Sequence, residues 1–203
     1  MYNYIFDLGG VLINFSTEKL VDTFCNRTNG DYEAIKRLFS PQGLYTVETG
    51  RISSQEFFTN HVRKIMPNLT YSELIDIYAE NFNPNPLTLN LLERLKNKGR
   101  KVYMLSNLAE VHRKAAEIRM PELFSLCDEN FLSYEMGYHK PEPEIYLETC
   151  RRIGAQPQKC VFFDDTAENV EGAIKIGMKS VLYSNSRIGL IEKYIDELER
   201  DAV

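Results

Sequence analysis

The sequence has no run of 18 or more apolar residues, the length a helix needs to span a bilayer. Its opening residues, Met1-Tyr2-Asn3-Tyr4, carry no basic region, so neither a membrane protein nor a secretory leader is expected. Cysteine is scarce. Cys25, Cys127, Cys150 and Cys160 form no C-x-x-C pair and stand beside no histidine at zinc-site spacing, which argues against a zinc-bound fold. All four fall within apolar stretches and read as small buried hydrophobes of a reduced, cytoplasmic protein. Positive charge is not in excess. A net charge of −5 disfavours nucleic acid as a partner but leaves room for small anions at a local site. Repeats and low-complexity tracts are absent. What is there is ordinary globular material: 203 residues, 43% hydrophobic and 26% charged, enough for one domain or one domain with an insert.

Short apolar runs rich in β-formers recur along the chain. The first, Tyr4-Ile5-Phe6, is broken by Asp7 and the pair Gly9-Gly10. Others are Val102-Tyr103-Met104-Leu105, Cys160-Val161-Phe162-Phe163 and Ser180-Val181-Leu182-Tyr183, with a weaker one at Glu129-Asn130-Phe131-Leu132. Most are continuous, as in strands covered on both faces. Between them lie helical patterns at 87–98, 142–153 and 167–176. Each stops at a glycine, Gly99, Gly154 or Gly177. This alternation predicts an α/β fold with a parallel sheet.

Residues 16–83 break the alternation. They hold four or five helical patterns and no convincing strand. Ser53-x-x-Glu56 and Thr70-x-x-Glu73 predict capping boxes opening two of the helices. Asn83-Pro84-Asn85-Pro86 cannot continue a helix and suits a hinge. The segment reads as a helical insert placed directly after the first strand.

Ligands of open parallel sheets gather at the carboxyl ends of the strands. There the chain places Asp7, then Ser106 and Asn107, then Asp164 and Asp165. A core strand has no structural need for such endings. Converging carboxylates repel one another unless a hard cation such as Mg²⁺ joins them, and a carboxylate can itself act as a nucleophile. Lys140 offers a compact positive charge for phosphoryl oxygens.

These residues resemble the four motifs of the haloacid dehalogenase-like hydrolases, over essentially the whole chain. Phe6-Asp7-Leu8-Gly9-Gly10-Val11-Leu12 is similar to the first motif, whose leading Asp is the nucleophile. Leu105-Ser106-Asn107 is similar to the second, and Gly137-Tyr138-His139-Lys140-Pro141-Glu142-Pro143 to the third, with its phosphate-orienting lysine. Val161-Phe162-Phe163-Asp164-Asp165, followed by Asn169, resembles the acidic fourth motif. The resemblance is nearest to bacterial α-D-glucose-1-phosphate phosphatases.

It implies a Rossmann-like core over 1–15 and 84–203 and a cap over 16–83. It also implies a Mg²⁺-dependent phosphatase acting through an aspartyl-phosphate on a small phosphate ester such as a sugar 1-phosphate, as monomer or homodimer. Asp7 and Lys140 would be catalytic. Ser106, Asn107 and Lys140 would bind phosphate. Asp7, the Gly9 carbonyl, Asp165 and Asp164 would serve the metal, with Asp165 ahead of Asp164. Most phosphatases of the family carry a second Asp two residues after the nucleophile, as general acid and base. Here that position is Gly9.

Dehalogenases of the family also lack that second Asp, but they need no metal, which leaves the Asp164-Asp165 pair without a task. A non-catalytic binding protein and a phosphomutase are further alternatives; intact motifs weigh against the first and Gly9 against the second. Tyr45, Glu48 and Arg51 read as a turn between cap helices, either solvated or facing substrate. His139 reads as a surface-loop histidine, and His61 and His112 as structural.

Overall fold

The computed structural model describes residues 1–200. Five strands form one all-parallel sheet: β1 (Asn3–Phe6), β4 (Val102–Ser106), β5 (Glu129–Leu132), β6 (Cys160–Asp164) and β7 (Lys179–Leu182), in the order β5-β4-β1-β6-β7. β1 is central, with Phe6 opposite Met104 on one side and Phe163 on the other. Its residues alternate between the two faces. Tyr4 and Phe6 join one apolar cluster with Met104 and Phe163; Ile5 joins another with Leu105 and Phe162. Burial on both faces is why these strands are continuous apolar runs. Because every strand is parallel, Phe6, Ser106 and Asp164 end at one edge of the sheet.

Helices α7 (Pro86–Asn97), α8 (Glu110–Arg119), α9 (Ser133–Met136), α10 (Pro143–Ile153), α11 (Ala167–Lys175) and α12 (Ile188–Arg200) complete the α/β fold. Gly154 ends α10 at φ +74°, a left-handed cap that glycine adopts without strain. α8 and α12 lie outside the helical patterns read from sequence. α8 buries Ala115 and Ala116, small side chains with a faint apolar signature.

Between β2 (Ile13–Asn14) and β3 (Asn83–Pro84) the chain is helical, in α1 (Thr17–Thr28), α2 (Tyr32–Leu38), α3 (Pro41–Glu48), α4 (Ser54–Phe57), α5 (Arg63–Ile65) and α6 (Tyr71–Asn81). A π-turn over Phe58–Val62 joins α4 to α5. Both capping boxes form: Ser53 with Glu56 opens α4, and Thr70 with Glu73 opens α6.

One expectation changes here: Tyr45 and Glu48 lie within α3 rather than in a turn, and Glu48 is buried. Asn83-Pro84-Asn85-Pro86 is tied to the stretch that follows β1. β2 and β3 pair antiparallel, Ile13 with Pro84 and Asn14 with Asn83. Asn85, 1% exposed, then donates from Nδ2 to the Val11 carbonyl at 2.7 Å. Of the four cysteines, three are buried and Cys25 is half-buried.

Candidate active site

Asp7 follows β1 directly, and its N–H donates to the Phe163 carbonyl at 2.9 Å, so the neighbouring strand fixes where it leaves the sheet. The chain then turns tightly, with the N–H groups of Leu12 and Ile13 both donating to the Leu8 carbonyl. Gly10 sits in this turn at φ +73°, where a Cβ would fall 1.9 Å from Asp165 Oδ2. Glycine is therefore required for the turn to pass this close to the second carboxylate.

Asp7 Oδ1 accepts from the Leu8 N–H at 2.7 Å and lies 2.8 Å from Lys140 Nζ. The Lys140 ammonium also donates to Asp164 Oδ2 at 2.6 Å and to the Leu105 carbonyl at 3.2 Å. Its side chain is 1% exposed. Asn107, just past β4, clamps the backbone of the same lysine: its Oδ1 accepts from the Lys140 N–H at 2.8 Å and its Nδ2 donates to the Lys140 carbonyl at 3.0 Å. Asp164, fully buried, is held by Asn169 Nδ2 at 3.1 Å and by the Thr166 N–H at 2.9 Å. Asp165 is exposed to the cleft instead.

One ammonium does not balance three carboxylates. Asp7, Asp164 and Asp165 each offer an oxygen within 4.8 Å of the others. Burial pushes the Asp7 carboxyl up; Lys140 opposes that and Asp164 adds to it, for a net rise to about 7. Burial and then repulsion from Asp164 raise Asp165 as well. Burial works against the charge on Lys140, but Asp164 and Asp7 outweigh it and the net shift is upward. An all-oxygen donor set with surplus negative charge suits a hard divalent cation.

The cleft around this cluster has a volume of about 660 Å³. Gly9, Ser106 and Asn107 line it from the sheet side. On the opposite side the helical segment contributes Glu48, whose Oε2 is 2.9 Å from His139 Nε2. His139 Nδ1 lies 2.6 Å from the Lys140 carbonyl, and the residue is 8% exposed. It is a buried wall of the cleft rather than the surface-loop residue expected. His112 lines the same cleft, its ring 4.5 Å from that of Tyr78. The Tyr45 ring lies 5.4 Å from that of His139, tilted against it, and its hydroxyl donates to Glu142 Oε1 at 2.7 Å, with Arg51 over the ring. Tyr45 and Arg51 do not line the cleft, whereas Glu48 does. Tyr78 and His112 had no local signal as site residues, since each sits at a core position of an amphipathic helix.

A sequence profile of the haloacid dehalogenase-like hydrolases matches residues 3–177. The D-ribitol-5-phosphate phosphatase of Bacteroides thetaiotaomicron is 27% identical over 187 residues, covering 88% of this chain and 89% of that protein. A predicted hydrolase of the same kind from Porphyromonas gingivalis superposes with a TM-score of 0.83 at 29% identity, covering 96% of this chain and 98% of the other. A B. thetaiotaomicron enzyme, solved in complex with magnesium and inorganic phosphate, gives 0.77 at 28% identity, with 91% and 93% covered.

Proposed function

Because the chain belongs to the haloacid dehalogenase-like hydrolases, we infer that its convergent strand ends are the centre of a Mg²⁺-dependent phosphatase of small phosphorylated compounds. The observation that carries this reading is the contact of one buried ammonium with both Asp7 and Asp164, beside a third carboxylate facing the cleft. A nucleophile, a charge to orient phosphate and a cation-seeking oxygen set thus meet at one point.

In this reading an Asp7 oxygen attacks phosphorus in line. The new O–P bond forms as the ester P–O bond breaks, and the leaving oxygen keeps the electron pair and takes a proton from water. A second water then attacks phosphorus, releasing inorganic phosphate and restoring Asp7. Oδ1 of Asp7 takes both the Leu8 and Lys140 contacts, which leaves Oδ2 as the oxygen without a donor among the described residues. Lys140, the Ser106 hydroxyl and the Asn107 backbone N–H bind the phosphoryl oxygens. Asp7, Asp165 and the Gly9 carbonyl would hold Mg²⁺, with Asp164 behind them. When bound, the ion supplies positive charge to the phosphoryl group. Residues 16–83 act as a cap over the strand ends. The test is hydrolysis of p-nitrophenyl phosphate with Mg²⁺ and with EDTA; turnover unaffected by EDTA, or no turnover in Mg²⁺, sinks the reading.

Asp164 already spends its oxygens on Lys140, Asn169 and Thr166, whereas Asp165 faces the cleft. Asp165→Ala is therefore expected to raise the Mg²⁺ concentration for half-maximal activity more than tenfold. Asp164→Ala should mainly lower thermal stability. A metal titration and a melting curve on each variant separate the two, and the reverse pattern rejects the assignment.

With Gly9 in the acid position, rate depends on the leaving group. Aryl phosphates should react best, sugar 1-phosphates ahead of sugar 6-phosphates, and simple alkyl phosphates worst. A Cβ at Gly9 meets nothing within 4 Å, so a side chain would start out into open space there. Gly9→Asp is expected to raise kcat on poor leaving groups by roughly 10²-fold, within the usual range for general acid catalysis. It should also flatten the dependence across a series of substituted phenyl phosphates. An unchanged slope would mean that another group already donates the proton.

A further inference from the structure

Helix α3 grips the loop that carries Lys140 at several points. Gly50, just past the end of α3, has φ +67°, and a Cβ there would collide with the Tyr134 carbonyl. α3 and α9 therefore meet at backbone distance. The Ser133 hydroxyl of α9 donates to the Glu48 carbonyl. The Tyr45 hydroxyl donates to Glu142 Oε1, and Glu142 Oε2 accepts from the His139 N–H at 3.2 Å. Glu48 Oε2 meets the His139 ring at Nε2. These contacts bracket Lys140, which stands between His139 and Glu142.

Hydrogen-bond chemistry fixes what the His139 ring does. A carbonyl oxygen only accepts, so the 2.6 Å contact between Nδ1 and the Lys140 carbonyl needs a proton on Nδ1. Asn107 Nδ2 donates to the same oxygen at 3.0 Å, and the two donors stand 3.0 Å apart because they converge on it. A proton also lies between Nε2 and Glu48 Oε2, since two bare lone pairs at 2.9 Å would repel. The imidazole thus links a carboxylate of the helical segment to the backbone of the lysine. Glu48 is 7% exposed and His139 8%, so the link is shielded from water.

The Lys140 ammonium is shared among Asp7, Asp164 and the Leu105 carbonyl. A phosphoryl group competes for it, and the backbone clamp then sets where the charge stands. We propose that Glu48 and His139 are positioning residues. Through them α3 holds Lys140 in place for the transferring phosphoryl group, with Tyr45 bracing the same loop through Glu142. The proposal rests on the phosphatase reading. It gives Tyr45 and Glu48 a task that needs no contact with the alcohol part of the substrate, and it ties the seating of the helical segment to the catalytic charge.

Steady-state kinetics in saturating Mg²⁺ tests this with two esters of different alcohols, p-nitrophenyl and 4-methylumbelliferyl phosphate. Circular dichroism and a melting curve verify each variant first. Glu48→Ala is expected to lower kcat by up to about 10²-fold, the cost of a small misplacement at a reacting centre, and to move KM by less than about threefold. The factor should be the same for both esters. Glu48→Gln should recover most of the loss, since its Oε1 still accepts from Nε2. In a His139→Ala background, Glu48→Ala should cost little more, as for residues that act as one unit. Tyr45 lies outside the cleft, so Tyr45→Phe can act only through the loop; kcat should fall several-fold at constant KM. A loss confined to KM, or one that differs between the esters, would make Glu48 a substrate contact and overturn the proposal. So would additive losses in the double variant, or an unchanged kcat in Glu48→Ala or Tyr45→Phe. If Glu48→Ala does not fold, His139→Ala and Tyr45→Phe are read by the same kcat and KM criteria. A parent protein that turns over neither ester rejects the phosphatase reading instead.

Discussion

Asp7→Asn should lower kcat for p-nitrophenyl phosphate by about 10³-fold or more, on the scale seen when a nucleophile is removed. The amide keeps the shape of the carboxylate, and its Oδ1 can still accept from the Leu8 N–H. It cannot form the O–P bond. The variant also removes one of the two negative charges touching Lys140. Its fold should survive, because Asp7 sits outside both apolar clusters. Circular dichroism and a melting curve verify the fold; single-turnover kinetics with a ³²P-labelled ester reads the chemistry. A folded variant retaining more than a few per cent of Mg²⁺-dependent activity would assign the nucleophile elsewhere.

Lys140→Met is expected to damage stability and turnover together. The ammonium is almost completely enclosed and touches Asp7, Asp164 and the Leu105 carbonyl. Methionine roughly preserves the volume but strands two carboxylates without their counter-charge. Removing one partner of a buried ion pair costs about 3–5 kcal/mol, and loss of a charge aimed at the transferring group costs about 10²–10³-fold in kcat. Mg²⁺ should raise the melting temperature of the variant more than that of the parent, since the ion meets the same unpaired carboxylates. Equal metal-induced shifts would show that Lys140 and the ion do not share that charge.

The two variants probe a site whose frame was legible in the residues. Tyr4-Ile5-Phe6, Val102–Leu105 and Cys160–Phe163 read as strands because burial on both faces leaves no room for alternation. The polar residues that end them stood out for the same reason. The parallel sheet and the capping boxes at Ser53 and Thr70 followed from local chemistry. Glu48 and His139 did not. They are 91 residues apart, each in a stretch with turn-like polarity, and in the fold both are buried with their polar ends paired to each other. Asn85 was hidden in the same way: Asn83-Pro84-Asn85-Pro86 has hinge composition, but its amide finds the Val11 carbonyl 74 residues earlier in the chain. The Tyr78 hydroxyl and His112 Nε2 are buried with no hydrogen-bond partner among the described residues; this had no signature at all, since an unpartnered group is a property of the packed surroundings and not of the residue type.

The central position of β1 sets a timetable for synthesis. Tyr4, Ile5 and Phe6 leave the ribosome well before their neighbours in the sheet, since their partners in β4 begin at Val102 and those in β6 at Cys160. At 5–20 residues per second, an apolar strand waits roughly 5–20 s for its first neighbour. In that interval α1 to α6 emerge, whose contacts with one another include α1 against α2 and α6. The helical segment can therefore pack before the sheet it interrupts exists. Slowing translation across residues 7–101 should lengthen the exposure of β1 and raise aggregation of nascent chains, whereas slowing it after residue 164 should not.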